Sequence, residues 1–174
     1  MLNEAEMIDR AIAVLFAPGV DSDLRPYALV DGIEKAATPS AAWQIFQRGW
    51  TCCDAVSPRV IDDIMKVLLA TSARGTDFLK GKDREFYDSL PTKVTVYRGA
   101  PRGSRGGISW TTDIAIAREF AEGHRGMYVP DGVIFERVIK KSDILTVSMD
   151  RDESEIILKP RWRSATVIEL EDAA

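Results

Sequence analysis

The sequence predicts an α+β fold, with helices in the first half of the chain and short strands in the second. Two observations lead there. Before Pro91, apolar residues recur three and four positions apart, as they do along one face of a helix. From Lys93 onward, short runs rich in Val, Ile and Thr alternate with turn residues, the pattern of strands. A third sets the scale: 174 residues, 45% hydrophobic and 29% charged, are enough to bury one real core. The expected organisation is a mainly helical region over 1–91 packed on a β-rich region over 92–174, together one domain.

In chain order, Leu2 to Phe16 places Met7, Ile8, Ile12 and Leu15 at helical spacing, and Pro18-Gly19 stops the run. Ala28 to Ala37 predicts a second, shorter helix. Thr38-Pro39-Ser40 starts a third, with Trp43, Phe46 and Trp50 three to four residues apart. That aromatic stripe reads as a buried helix face rather than a binding surface. Ser57-Pro58 opens a fourth helix with proline in its first turn, and Ile61, Ile64, Met65, Leu68 and Leu69 form its apolar stripe. Thr76 to Leu90 predicts a further helix, ended by Pro91. Six strands are then expected: Val94–Arg98, Ile108–Thr111, Val133–Ile139, Ile144–Val147, Glu155–Leu158 and Thr166–Leu170. One helix, Asp113 to Glu122, interrupts them, with Thr112 or Asp113 as its N-cap.

Composition excludes several kinds of chemistry. A net charge of −4 and a pI near 5.1 argue against general affinity for nucleic acid or anionic membrane, both of which reward a basic surface. No apolar run approaches the length that spans a bilayer, and the short run Ala11 to Ala17 follows acidic residues where a signal peptide carries positive charge. The chain therefore reads as cytoplasmic. Cys52 and Cys53 are neighbours, and a bridge between them would violate normal disulfide geometry. They are expected to be reduced. The single histidine, His124, rules out a multi-histidine zinc site and lies in what reads as a helix end. No metal is expected, and chemistry would run on carboxylates, arginines and hydroxyls.

Three features of the second half stand out. Val94-Thr95-Val96-Tyr97-Arg98-Gly99 delivers an arginine at a strand end, either a solvated terminus or a fork of donors for phosphate oxygens. Ile108-Ser109-Trp110-Thr111-Thr112 ends in hydroxyls, which β propensity and helix capping explain for Thr112 and less well for Ser109. Asp152-Glu153-Ser154-Glu155 puts two carboxylates at the mouth of an apolar run. On a strand Glu153 and Glu155 would share a face, about 6.6 Å apart. An exposed strand face with two acids is the ordinary alternative.

The order Arg98, then Ser109-Trp110-Thr111, then Glu153-Ser154-Glu155 resembles the arginine–serine–glutamate class of mono-ADP-ribosyltransferases, a family of bacterial toxins, phage enzymes and vertebrate ecto-enzymes. The helix pattern Ala117-x-x-Phe120-Ala121 and the strand Gly132-Val133-Ile134-Phe135 agree with it. The resemblance spans residues 93–171, with a short link between Arg98 and Ser109 and a tryptophan inside the serine motif. It implies a β core of two small facing sheets and a reaction that cleaves the nicotinamide–ribose bond of NAD, used as substrate. It also implies roles: Glu155 stabilises the developing ribose cation and holds its 2′-hydroxyl, Arg98 clamps the pyrophosphate, and Ser109 orients Glu155. Gly99, Trp110, Thr111 and Phe120 would complete the NAD contacts, with Trp110 either stacked on a flat ring or, the commoner case, packed in the core. Glu153 would face the acceptor, an arginine of a target protein, and the loop Ser148 to Asp152 would meet that partner. Gly103-Ser104-Arg105-Gly106-Gly107 is either a flexible surface loop or a source of phosphate contacts. Two other functions remain open: an NAD glycohydrolase giving ADP-ribose to water, and a non-catalytic binding module. A nucleic-acid acceptor is disfavoured by the acidic pI.

Overall fold

A computed structural model describes residues 3–53, 56–104, 106–123, 128–160 and 164–171. Among them the chain forms six α-helices and one six-stranded antiparallel sheet, an α+β fold. The chain divides into two compact units between Leu79 and Lys80. His124 and Arg105, both named in the sequence reading, lie outside the described residues. None of the described helices is long and apolar enough to cross a membrane.

The first unit is helical. α1 (Glu4–Leu15) is opened by a reciprocal cap in which Asn3 Oδ1 accepts from the Glu6 amide and Glu6 Oε2 from the Asn3 amide. α2 spans Arg25–Glu34, three residues earlier than expected because Pro26 is tolerated in a first turn. Thr38 caps α3 (Pro39–Gly49), and Ser57 caps α4 (Pro58–Leu68). The aromatic stripe is core: Trp43 and Phe46 are fully buried and pack edge to face, and Trp43 Nε1 donates to the Ala73 carbonyl. Neither cysteine is in a disulfide among the described residues, and both are half-buried.

The second unit corrects the expected boundary. Thr76 to Leu90 is not one helix: a short 3₁₀ turn covers Gly75–Phe78, and α5 is Gly81–Ser89. α5 belongs with the strands, because Lys141 Nζ donates to the Asp88 and Leu90 carbonyls at its C-terminal end. The strands are β1 (Lys93–Pro101), β2 (Ser109–Thr111), β3 (Gly132–Lys140), β4 (Thr146–Ser148), β5 (Glu155–Ile157) and β6 (Thr166–Ile168). α6 (Ile114–Glu122) follows β2, capped by Asp113 and closed by Gly123 in the left-handed conformation (φ 105°).

The strand order is β4-β5-β2-β1-β3-β6. Two separate facing sheets were expected, and the hydrogen-bonded strands instead run on as one sheet. That sheet has a waist. β1 keeps register with β3 from Lys93↔Lys140 to Pro101↔Gly132, yet meets β2 at the single pair Tyr97↔Thr111. One face buries Val96, Trp110, Phe135, Val147 and Ile156. α6 covers part of the other face, where Ala117, Ala121 and Ile134 form a buried cluster with Tyr97, Ile168 and Leu170 against it.

Candidate active site

The waist of the sheet creates the site. Had the β1–β2 ladder continued past Tyr97↔Thr111, Gly99 would stand opposite Ser109. It does not continue. α6 crosses β1 at Gly99 so closely that a Cβ there would stand 1.8 Å from the Ala117 carbonyl oxygen. The Ser109 carbonyl takes the Arg98 side chain instead, accepting from Nη1 at 2.8 Å. Gly107, just before β2, leaves the room: a Cβ on it would lie 2.1 Å from Arg98 Cζ and Nη2.

Strand alternation would have sent Arg98 to the face opposite Glu155. The opening between β1 and β2 lets the guanidinium reach the backbone edge of β2, where it feels the Glu155 charge. Burial pulls the Arg98 pKa below the ordinary arginine value, and the Glu155 carboxylate pulls it back up. Arg98 Nε is buried and has no acceptor among the described residues. A buried donor in that condition fits an anion or polar ligand better than a finished structural contact.

β2 and β5 bring in the other groups. Thr111 is paired with Glu155, and Glu155 in turn with Ser148, so these three side chains share one face. Ser109, two residues before Thr111, shares it too and is a diagonal neighbour of Glu155, about 7–8 Å away between Cα atoms. The same row continues through Tyr97, Glu136 and Thr166, giving one polar side chain from each of the six strands. Tyr97 hydrogen-bonds Glu136. Burial first, then the Glu136 charge and that hydrogen bond, raise the Tyr97 pKa above the usual phenol value.

Glu153 departs from expectation. β5 begins at Glu155; Glu153 is helical (φ −81°, ψ −4°) and Ser154 is left-handed (φ 47°). The two acids are therefore not alternate residues of one strand. What positions Glu153 is Thr111, whose hydroxyl donates to the Glu153 carbonyl at 2.8 Å and accepts from the Asp113 amide at 3.0 Å. Thr111 was expected to touch the dinucleotide, but it is buried and braces backbone.

Of the other residues considered for NAD contact, Trp110 takes the core position that its burial alternative described. Trp110 is 2% exposed, with Arg137 over its ring, so the indole offers no face to a ligand. Gly99 is required by α6. Phe120 lies half-buried on α6. The Gly103–Gly107 segment divides: Gly103 has open space around its Cα, whereas Gly107 is buried against Arg98. Tyr97 is the residue that sequence reasoning missed, although it borders Arg98; Gly107 was read only as part of a glycine-rich segment, and nothing local marks it as facing a guanidinium.

The helical unit has its own recess, whose lining includes Ile33, Glu34, Thr38, Trp43, Leu68 and Thr71. Compared with known proteins, the chain matches no family model, no curated protein and no solved structure.

Proposed function

We propose that the protein is an NAD-dependent mono-ADP-ribosyltransferase whose acceptor is an arginine side chain of a target protein. One observation carries this reading: β2 lies between β1 and β5, the Arg98 guanidinium from β1 donates to the Ser109 main-chain carbonyl and feels the Glu155 charge, and the Ser109 and Glu155 side chains share one face of the sheet. The residues present suit NAD. The buried Arg98 Nε, on the guanidinium for which Gly107 leaves room, fits a phosphate oxygen, and the Glu155 carboxylate, two strands from β1, fits a sugar that becomes cationic.

In the reaction the bond between the ribose C1′ and the nicotinamide nitrogen breaks, and its electron pair leaves with the ring, which becomes neutral. No acid is needed for that departure. The positive charge passes to the ribose, as in glycoside cleavage, and Glu155 stabilises it. The acceptor nitrogen then bonds to C1′ and loses a proton. A guanidinium stays protonated at ordinary pH, so a second carboxylate is needed to orient it and take that proton; Glu153 fills this role.

The test is incubation of the full chain with labelled NAD and a whole-cell lysate, followed by mapping of the modified residue. Label on arginine supports the proposal. Release of nicotinamide with no protein label favours the glycohydrolase, and no turnover at all favours a binding module.

Two variants separate the roles. Glu153→Gln is expected to cut protein labelling by roughly 10²-fold or more, the ordinary value of a general base, while nicotinamide release stays within a few-fold. Intact labelling in this variant removes Glu153 from the mechanism. Gly107→Ala is expected to expel the Arg98 guanidinium from its cradle. Losing a charge-assisted hydrogen bond of about 1.5–3 kcal/mol raises the KM for NAD roughly tenfold to hundredfold, measured by initial rates. An unchanged KM means that Arg98 does not hold the dinucleotide.

A further inference from the structure

The chain leading into Glu155 holds a conformation that it does not adopt by itself. Arg151 (φ 59°) and Ser154 (φ 47°) are both left-handed, a region that L-residues other than Asn and Asp seldom visit. Such residues persist where the surroundings hold them, and they gather at ligand clamps and active sites. Here the holding contacts can be named. At the exit, the Thr111 hydroxyl fixes the Glu153 carbonyl, a tie made by the sheet itself. At the entry, the Asp150 amide donates to Ser148 Oγ at 3.1 Å. The Met149 amide donates at 2.7 Å to Asp83 Oδ1, on α5 and 66 positions away in sequence.

That last tie differs in kind. Asp83 lies in the first turn of α5, where a carboxylate suits the helix dipole, yet its oxygen is turned to a loop outside its own helix. The other end of α5 is anchored by Lys141, so Asp83 is presented from a fixed support. Glu155 does not depend on this tie, since β5 is paired with β2 on one side and β4 on the other.

We infer that Asp83 is a positioning residue for the acceptor: it holds residues 149–154 in the shape that engages the target arginine, and it leaves NAD cleavage alone. The catalytic half of this inference rests on the transferase reading above; the structural half does not. Three forms of the full chain test it: wild type, Asp83→Ala, and Asp83→Asn, which keeps an oxygen acceptor for the Met149 amide.

The first measurement is tryptic cleavage after the exposed Arg151 under native conditions. Cleavage follows the population of the opened loop, and losing a hydrogen bond to a carboxylate should speed it about tenfold in Asp83→Ala, with Asp83→Asn close to wild type. The second is transfer to polyarginine beside nicotinamide release. Asp83→Ala should raise the acceptor KM about tenfold with the rate of NAD hydrolysis unchanged, and Asp83→Asn should restore it. Equal cleavage at Arg151 in all three forms overturns the clamp. Faster cleavage with an unchanged acceptor KM overturns its role in transfer. A wild type that turns over no NAD sinks the transferase reading, while the tryptic result still decides whether Asp83 holds the loop.

Discussion

Glu155→Ala is expected to lower nicotinamide release from NAD by roughly 10²–10³-fold, the cost of removing one preorganised electrostatic contact to a transition state. Release is followed by separating nicotinamide from NAD after timed incubation. The carboxylate opens β5, half-buried, on the face that Ser109 and Thr111 share, and it is the charge opposing Arg98. Its removal leaves the guanidinium bonded to the Ser109 carbonyl but without a counter-charge. Glu155→Gln keeps the size and removes only the charge, so it should be similarly inactive at near wild-type stability. Release at the wild-type rate in either variant would falsify the assignment of Glu155 as the catalytic carboxylate.

Gly99→Ala is expected to give the largest loss of stability in the β-rich unit. An added Cβ would lie 1.8 Å from the Ala117 carbonyl oxygen and 2.5 Å from the Ala121 nitrogen, both backbone atoms that no rotamer change can move. Gly132, on the neighbouring strand, is crowded in the same way by the Ala121 carbonyl oxygen. α6 would have to lift from the sheet and open the cluster of Ala117, Ala121 and Ile134. A cost of about 3 kcal/mol, the upper end for overpacking, lowers the Tm by roughly 10 °C or more for a unit of this size. Gly103→Ala is the control: nothing lies within 4 Å of its added Cβ, and its Tm should not move. The comparison needs only thermal melts followed by circular dichroism. Equal melts for the two variants would mean that α6 does not rest on β1.

Much of the fold was legible because it is local. Thr38, Ser57 and Asp113 cap helices through bonds to amides two or three residues away, so the motif and its partner lie in one short stretch. The buried Trp43 and Phe46 followed from spacing alone. The single helix expected over Thr76 to Leu90 is divided because Gly81, at φ 51°, breaks the helical path between the 3₁₀ turn and α5.

By itself the sequence determined that the chain is α+β, where most of its strands and helices fall, and which groups are available for chemistry: Arg98, Ser109, Glu153 and Glu155. It did not determine which of them meet, or how. Arg98 reaches the main chain of β2 where the β1–β2 pairing stops and Gly107 leaves a gap. Glu153 sits off the strand because Thr111 and a left-handed Ser154 turn the backbone there. Asp83 reaches a loop far along the chain. These are steric and hydrogen-bonding facts between residues far apart in sequence, and side-chain periodicity reports only on neighbours within a helix turn or a strand pleat.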